Sequence, residues 1–354
     1  MPRTPLPFFF DCGNYGIKSR SSNGSITTED HFVHAFAQLD DGEFKRVTAQ
    51  ASKPDEEYFT VNGTHYAIGN KGKRHGAFER RYGAKRYNKD YYGVFLAIAM
   101  TRSFQRSTDV YLVGSHAPGD VDYTNDLLDA AMGDWVVGWQ GSNYKFSVKD
   151  GFTYHEPLGG WANTAFRADG KAYARRDMND GVTLVLDIGG YTTDGLVIDP
   201  GGSIDYSTAN SVKVGVLNAV RDFEKNFRTQ NAALLKTVGT LNESMINEAI
   251  RTGIFDLRGL GKIDCAALAQ ETRQSLVNDV YGFYESYGGA TEYNNILLTG
   301  GGSELLYTEL LAAIQHTTIL VADPKQEMGK LFLSNVRGGE KWYLLQKAIG
   351  SITA

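Results

Sequence analysis

Several aliphatic runs in this chain end in short polar turns that are rich in glycine. In VTLVLDIGGYTTDGLVI, at 182–198, two aliphatic runs flank the turn DIGGYTTD. A short apolar run bounded by turn residues is typical of a buried strand. The pattern therefore predicts two sheet strands joined by a tight polar turn. A similar pattern near the N-terminus predicts a strand at 8–11 that ends in the turn DCGNYGIK and resumes near Ile17.

Strand and helix patterns alternate along the rest of the chain. The Asn-Gly pair in VNGTHYAIG indicates a hairpin, and the nearly continuous apolar run DVYLVGS is typical of a buried parallel strand. Residues 135–157 alternate like an antiparallel pair. These elements predict an α/β fold. Further predicted strands are 31–37, 44–48 and the run before the triple glycine at 300–302, and predicted helices are 90–105, 123–132, 160–167, 214–228, 243–252, 267–287 and 339–349.

The two halves of the chain resemble each other in order. Each begins with an aliphatic strand, an aspartate, a glycine-rich turn and a second strand. With 354 residues, the chain is long enough for two domains or one large two-lobed unit. We therefore expect two lobes of similar construction.

Composition and charge narrow the class of protein. Hydrophobic residues make up 42% and charged residues 22%, as in ordinary globular proteins, and a net charge of −5 disfavours a surface that coats nucleic acid. Cys12 and Cys265 fit a reducing cytoplasm better than a disulfide framework, and no Cys or His spacing indicates zinc. No apolar run of roughly 18 residues indicates a membrane span. The expected localisation is cytoplasmic, with no membrane partner.

Three glycine-rich turns, at 11–18, 187–194 and 299–304, carry the candidate chemistry. Without a Cβ atom, glycine lets backbone N–H groups converge into a nest that attracts phosphate. The hydroxyls of Thr192 and Thr193 add donors to the second turn. Taken singly, each turn also suits an ordinary hairpin or a helix cap.

Asp11 and Asp187 sit at the start of the first two turns, where they would repel a phosphate chain. Their presence makes sense if a Mg²⁺ ion lies between them and the phosphates, held through water. The third turn joins a strand to a helix, and its glycines would let the backbone approach a base or ribose closely. Because one turn opens each half and the third lies deep in the second half, all three can face one cleft.

With DCGNYGIK, DIGGYTTD and ILLTGGGSELL as its three loops, the chain resembles the actin / Hsp70 / sugar-kinase superfamily. Within it, the chain most resembles the prokaryotic actin-like proteins of the ParM type and their archaeal relatives. The resemblance implies a two-lobed actin-like fold, a duplicated ribonuclease-H-like architecture with a nucleotide cleft between the lobes. Lobe I would span 1–180, with a C-terminal helix at about 338–354 packing back on it. Lobe II would span 181–337, with a helical insertion at about 215–265.

The resemblance also implies which residues bind the nucleotide and the metal. Asp11 and Asp187 match the two metal-site aspartates, acting through water. The first phosphate loop would contribute Gly13, Asn14, Tyr15, Gly16 and Lys18. The second loop would surround the γ-phosphate with Gly189, Gly190, Tyr191 and Thr192. The residues in contact with the nucleoside would be Lys213, Gly300, Gly301 and Gly302. Tyr15 departs from the small hydroxyl residue of many relatives, so it either points away from the nucleotide or packs on it.

The catalytic position implied by the resemblance is a Glu or Gln just before a helix start. Here it is Glu156 in HEPLGG, acting with the metal-site Asp187. A carboxylate at this position would orient and polarise the attacking water. The alternative is that Glu156 is an acidic residue placed before Pro157 to complement the helix dipole.

By resemblance, the chain is a filament-forming ATPase that polymerises head to tail and hydrolyses nucleotide slowly. ATP is the expected nucleotide, with GTP as the alternative, and Mg²⁺ the expected metal. The expected use is plasmid or other DNA segregation through a DNA-binding adaptor protein, without direct specific contact to nucleic acid. The alternative function is a non-polymerising ATPase or a small-molecule kinase of the same superfamily, for which Asp194 is the candidate base.

The segment KGKRHGAFERRYGAKRYNK, at 71–89, holds eight Lys or Arg residues against a single Glu. Three interpretations stay open: a solvated face, a charged contact between subunits, or a nucleic-acid contact that uses the interleaved tyrosines. Contact with any polyanion would give a strong dependence on salt concentration.

Overall fold

The chain folds into two compact units in a computed structural model. Unit 1 comprises Met1–Arg176 and Leu333–Ala354, and unit 2 comprises Asp177–Phe332. The structure describes residues 4–23, 26–49, 57–75, 81–235, 241–257, 261–289, 291–321 and 329–352.

Strands and helices alternate along both units, as the sequence predicts. The strands are β1 (Leu6–Cys12), β2 (Gly16–Asn23), β3 (Ile26–Val33), β4 (Phe36–Leu39), β5 (Tyr58–Val61), β6 (Thr64–Ile68), β7 (Thr108–His116), β8 (Gly133–Trp139), β9 (Ser142–His155), β10 (Thr183–Ile188), β11 (Thr193–Asp199), β12 (Ser203–Val212), β13 (Ile254–Asp256), β14 (Lys262–Asp264), β15 (Asn295–Thr299) and β16 (Ile319–Val321). The α-helices are α1 (Asp41–Ala49), α2 (Gly69–Arg74), α3 (Val94–Phe104), α4 (Thr124–Ala131), α5 (Glu156–Ala165), α6 (Arg176–Asp180), α7 (Val216–Gln230), α8 (Ala232–Leu235), α9 (Glu243–Thr252), α10 (Ala266–Glu285), α11 (Gly301–Ile314) and α12 (Ser334–Ala348).

Unit 1 is built on a nine-stranded sheet in the order β3-β2-β1-β7-β9-β8-β5-β6-β4. Strand β1 is antiparallel to β2 but parallel to β7, and β7 is parallel to β9. Consequently β1, β7 and β9 end at the same edge of the sheet. In α/β sheets, ligands bind outside this carboxyl edge.

Unit 2 repeats this arrangement on a smaller scale. Its five-stranded sheet has the order β12-β11-β10-β15-β16, with β10 parallel to β15 and β15 parallel to β16. The order and directions match those of β3-β2-β1-β7-β9 in unit 1. The duplicated α/β architecture predicted from the two similar turns is therefore confirmed.

Apolar side chains cover both faces of the β1–β7 region. On one face Phe10 packs edge-on against Tyr92, with ring centroids 5.2 Å apart, in a buried cluster that includes α3. On the other face Tyr343 of α12 contacts Phe9 and Tyr111, at 5.9 and 5.7 Å. Both faces being buried explains the continuous apolar runs of these strands.

Helices α5 and α12 cross at two glycines. A Cβ atom on Gly338 would lie 1.6 Å from the carbonyl oxygen of Gly159, and one on Gly159 would lie 2.7 Å from the carbonyl oxygen of Asn335. The Tyr154 hydroxyl also donates to the Asn335 carbonyl at 2.7 Å. Only glycine permits so close a crossing, which fixes α12 to the helix that begins at Glu156.

Helices α7, α9 and α10 and the hairpin β13-β14 form a second apolar cluster in unit 2. Its centre is a stack of Phe223 on Phe227 and of Phe227 on Phe255, with centroids 5.6 and 4.5 Å apart. None of the helices that the structure describes is long and apolar enough to cross a membrane.

Three predicted elements differ from the structure. Residues 44–48 lie in helix α1 rather than in a strand, the predicted strand 31–37 is divided between β3 and β4, and α5 begins at Glu156 instead of near Gly160. Helix α1 has no fully buried residue, and its apolar pair against the neighbouring cluster, Phe44 and Val47, is too short a pattern to distinguish a helix from a strand.

Candidate functional site

The first glycine turn closes the β1-β2 hairpin at the carboxyl edge of unit 1. Asp11 pairs across the hairpin with Lys18, whose Nζ lies 2.9 Å from Asp11 Oδ2. Asp11 is fully buried, and its Oδ1 atom has no hydrogen-bond partner among the described residues. The turn thus presents a buried carboxylate with one oxygen neutralised and the other available.

Two buried side chains hold the backbone of this turn. Arg86 Nη1 donates to the Cys12 carbonyl oxygen at 3.0 Å, and His34 Nδ1 lies 2.7 Å from the Gly13 carbonyl oxygen. The backbone N–H of His34 also donates to Tyr15, at 3.4 Å. Neither His34 nor Arg86 belongs to a recognisable motif, so the sequence alone does not predict their contacts with the first loop.

Arg86 corrects one interpretation of the basic segment 71–89, part of which lies outside the described residues. Arg86 is only 3% exposed, and its Nη2 donates to Asp120 Oδ2 at 2.6 Å. Burial opposes its charge, but the neighbouring Tyr87 and Asp120 hold the pKa of Arg86 above its usual value. Tyr87 is buried as well. Arg86 and Tyr87 therefore belong to the core and not to a solvated face, while Lys85 and Lys89 beside them are exposed.

Glu156 lies at the same carboxyl edge, as the first residue of α5 directly after β9. Glu156 also affects the Cys12 thiol of the first loop electrostatically. The pKa of this thiol is raised to about 12, mainly by burial, and the negative charge of Glu156 adds a smaller part of the rise. The predicted catalytic carboxylate and the first loop are therefore near each other within unit 1. Beside Glu156, the rings of His116 and His155 lie 4.6 Å apart, and burial followed by His116 lowers the pKa of His155 to about 4.

The second glycine turn closes the β10-β11 hairpin at the carboxyl edge of unit 2. Its closing bond runs from the Gly189 N–H to the Thr192 carbonyl, at 2.9 Å. Helix α7 starts against this turn, because Leu217 N–H donates to the Gly190 carbonyl at 2.7 Å and a Cβ atom on Gly215 would lie 2.7 Å from Gly190. The turn is therefore packed on a helix N-terminus, a favourable environment for an anion.

Two carboxylates face each other across the β10-β11 hairpin. Asp187 and Asp194 are directly paired in register and are 2% and 1% exposed. Asp194 accepts hydrogen bonds from Ser211 Oγ and, at 2.9 Å, from Thr192 Oγ1. Asp194 is thus held by hydroxyl groups, which disfavours the alternative that it is a kinase base.

The threonine hydroxyls of the second turn also have partners within unit 2. Thr192 donates to Asp194, and Thr193 Oγ1 donates to the Val214 carbonyl at 2.8 Å. In this structure the phosphate-binding capacity of the turn therefore lies in its backbone rather than in these two hydroxyl hydrogens.

The third turn connects β15 to α11 and lies against the second. Register pairs Thr299 with Asp187, and Gly300 has φ +82°. A Cβ atom on Gly300 would lie 2.5 Å from the Ile188 carbonyl oxygen, and one on Gly302 would lie 2.5 Å from Ile188 Cγ2. These two glycines are required by close packing on the second turn, while Gly301 is exposed at the helix start.

Each unit thus gathers its own part of the predicted site. Unit 1 brings together the first loop, Lys18 and Glu156, and unit 2 brings together the second and third loops. Lys213 is exposed in the connection between β12 and α7, rather than on a helix.

The residues present fit a divalent cation on two observations. One oxygen of the buried Asp11 has no partner among the described residues. In unit 2 two buried carboxylates, Asp187 and Asp194, are opposed across a hairpin. Carboxylate oxygens are the ligands that Mg²⁺ uses in nucleotide sites, usually with waters.

Residues 185–312 match the family described as archaeal actin homologue MreB-like, C-terminal. No curated protein matches the sequence. The crystal structure of the archaeal actin homologue Ta0583 is similar over 96% of this chain and 99% of its own, with a TM-score of 0.72 and 15% identity. Ta0583 has also been solved in complex with ADP.

Two ParM structures are also similar over nearly the whole chain. Bacillus thuringiensis ParM with ATP matches over 98% of this chain and 100% of its own, with a TM-score of 0.72 and 14% identity. Apo pSK41 ParM matches over 99% of this chain and 100% of its own, with a TM-score of 0.66 and 16% identity. The resemblance to ParM-type and archaeal actin-like proteins is thus confirmed, and the chain has their actin-like fold.

Proposed function

We propose that this chain is an actin-like ATPase that binds ATP and Mg²⁺, polymerises head to tail and hydrolyses the nucleotide slowly. One observation carries the proposal: in each unit a buried aspartate, Asp11 or Asp187, is the last residue but one of the first strand of a duplicated sheet, beside a glycine turn. A matched pair of this kind suits a ligand with a phosphate tail and a metal. The fold neighbours solved with ATP and with ADP support the same ligand class.

In this proposal units 1 and 2 are the two lobes, and the glycine turns of both contribute to nucleotide binding. The residues are those implied by the resemblance: the first loop and Lys18 bind phosphate oxygens, 189–192 surrounds the γ-phosphate, and the glycines at 300–302 approach the nucleoside. Asp11 and Asp187 hold the metal through water. Lys213, exposed beside the start of α7, reaches toward the nucleoside.

Glu156 is the proposed catalytic residue. Its carboxylate, at the start of α5 and near the first loop, orients and polarises the water that attacks the γ-phosphate. Bound Mg²⁺ would supply positive charge to the phosphate oxygens. Lys18, held 2.9 Å from Asp11, supplies a second positive charge at the first loop.

Filament assembly follows from head-to-tail contacts that do not close into a ring. Hydrolysis would shift the two lobes and weaken the lattice. By analogy with the ParM proteins, we propose that the filament segregates plasmid or other DNA through a DNA-binding adaptor. GTP is the alternative nucleotide.

Sedimentation and light scattering, with electron microscopy of the pellet, test the proposal. With Mg²⁺ and ATP the wild type should assemble, and with a non-hydrolysable analogue the filaments should last longer. Glu156→Ala should assemble but lose about a hundredfold in hydrolysis, since the group that orients and polarises the attacking water contributes on that order. Glu248→Ala, at an exposed helix carboxylate paired with Arg251, is the matched control and should hydrolyse ATP like the wild type. Absence of assembly with ATP or GTP would refute filament formation, and hydrolysis only with an acceptor would indicate a kinase.

A further inference from the structure

Two consecutive carbonyl groups of the first loop are held by buried side chains from outside it. The Cys12 carbonyl accepts from Arg86 and the Gly13 carbonyl lies against His34, at 3.0 and 2.7 Å. His34 and Arg86 are 0% and 3% exposed. Fixed, water-excluded donors of this kind orient the peptide groups that they bind.

The direction of each carbonyl fixes the direction of the next amide. In a planar trans peptide the C=O of one residue and the N–H of the next point in opposite directions. Because the Cys12 and Gly13 carbonyls are turned toward Arg86 and His34, the N–H groups of Gly13 and Asn14 are turned away from them. Successive amides on one side of a turn form a nest for an anion.

A hydrogen-bond chain sets the tautomer of the neutral His34 ring. The backbone N–H of Arg81 donates to Tyr91 Oη at 3.0 Å, and Tyr91 Oη lies 2.8 Å from His34 Nε2. A carbonyl oxygen can only accept, so Nδ1 must donate to Gly13. In the neutral ring Nε2 then accepts the Tyr91 proton. The ring is fixed further by Phe95, edge-on at 4.7 Å.

The Arg86 side chain is likewise held in one orientation by its neighbours. Its Nη2 donates to Asp120 at 2.6 Å, Tyr87 Oη donates to the same carboxylate oxygen at 2.8 Å, and the guanidinium lies 4.8 Å from the Tyr87 ring centre. The guanidinium is therefore aimed at Cys12 by an ion pair and a ring.

We propose that His34 and Arg86 are positioning residues that preform a two-amide phosphate nest at Gly13 and Asn14. This inference rests on the proposed function and goes beyond it, because it assigns a binding role to the segment 81–91 and to a histidine outside the three loops. It predicts that the two side chains affect recognition of the phosphate chain and leave recognition of the nucleoside unchanged.

The experiment measures dissociation constants for ATP, ADP and adenosine with Mg²⁺, at protein concentrations too low for assembly. His34→Asn and His34→Gln are a matched pair: an Asn amide replaces the Nδ1 donor, whereas a Gln amide occupies the position of Nε2. His34→Gln should weaken the binding of ATP and ADP about tenfold, which is the usual effect of losing a hydrogen bond to a charged group. The affinity for adenosine should be unchanged. His34→Asn should restore most of the affinity.

Arg86→Lys is the second test, and does not depend on the histidine variants folding. Lysine keeps the charge beside Asp120 but cannot span both Asp120 and the Cys12 carbonyl. Arg86→Lys should also weaken ATP binding about tenfold without changing adenosine binding. Wild-type affinities in His34→Gln and Arg86→Lys would overturn the inference while leaving nucleotide binding intact, and parallel losses for ATP and adenosine would show a purely structural role. A wild type that binds no nucleotide would overturn the proposed function itself, and the inference with it.

Discussion

Gly338 is the position in unit 1 at which a single methyl group should be most damaging. In Gly338→Ala the new Cβ would lie 1.6 Å from the Gly159 carbonyl oxygen, so α5 and α12 must separate by on the order of 2 Å to restore a normal contact. Overpacking against backbone that cannot rotate away costs about 3 kcal/mol, and the better helix propensity of alanine offsets about 1 kcal/mol. The free energy of unfolding should therefore fall by about 2 kcal/mol.

Tryptophan fluorescence during guanidinium unfolding measures this loss. All four tryptophans lie in unit 1, at positions 135, 139, 161 and 342, so the signal reports that unit. With a denaturant slope of about 4 kcal/mol per M, the midpoint should fall by about 0.5 M.

The matched control is Gly282→Ala, the same change inside helix α10. No atom of the described residues lies within 4 Å of the added methyl group, so only helix propensity acts. The variant should be more stable than the wild type by about 1 kcal/mol, measured by circular dichroism. If Gly338→Ala unfolded at the wild-type midpoint or above it, the close helix crossing, and the packing argument drawn from it, would be wrong.

Three further predictions concern the candidate site. Gly300→Ala should destabilise unit 2 by about 3 kcal/mol, because φ is +82° and the Cβ atom would meet Ile188, whereas Gly301→Ala, with its nearest neighbour at 3.6 Å, should be neutral by circular dichroism. Burial lowers the pKa of His155 from 6.5 to about 4, so the unfolded chain binds a proton there first as the pH falls. The unfolding free energy should fall by about 1.4 kcal/mol per pH unit between these values, and His155→Phe should remove this part of the slope. Burial raises the pKa of Cys12 to about 12, so a thiol reagent at pH 8 should react with it about a thousandfold more slowly than with free cysteine, and a fast reaction in the folded protein would contradict this.

The sequence predicts the parts of the fold that depend on local pattern. The two strand-turn-strand motifs are contiguous, and their glycines and aspartates are readable without tertiary information. The structure confirms them as the β1-β2 and β10-β11 hairpins. The similarity between the halves was visible for the same reason, since equivalent hairpins repeat at equivalent places in the two sheets.

The errors occur where burial does not follow the sequence pattern. Helix α1 has no buried residue, so its apolar residues gave a false strand signal at 44–48. Arg86 stands among eight basic residues in 71–89, and its neutralising partner Asp120 is 34 residues away. His34 has no sequence signal at all, because its contacts with Gly13 and Tyr91 are made across the fold.

The two equivalent hairpins treat their aspartates differently, and this difference bears on the metal. In unit 1 the residue opposite Asp11 is Lys18, which neutralises the carboxylate within the hairpin. In unit 2 the residue opposite Asp187 is a second aspartate, Asp194, which is held by hydroxyl groups that carry no charge. Two buried carboxylates on one face of a hairpin repel each other, and a nearby cation or a proton on one of them relieves the repulsion. In the proposed function the two hairpins therefore offer a metal different surroundings, with a lysine beside Asp11 and a second carboxylate beside Asp187.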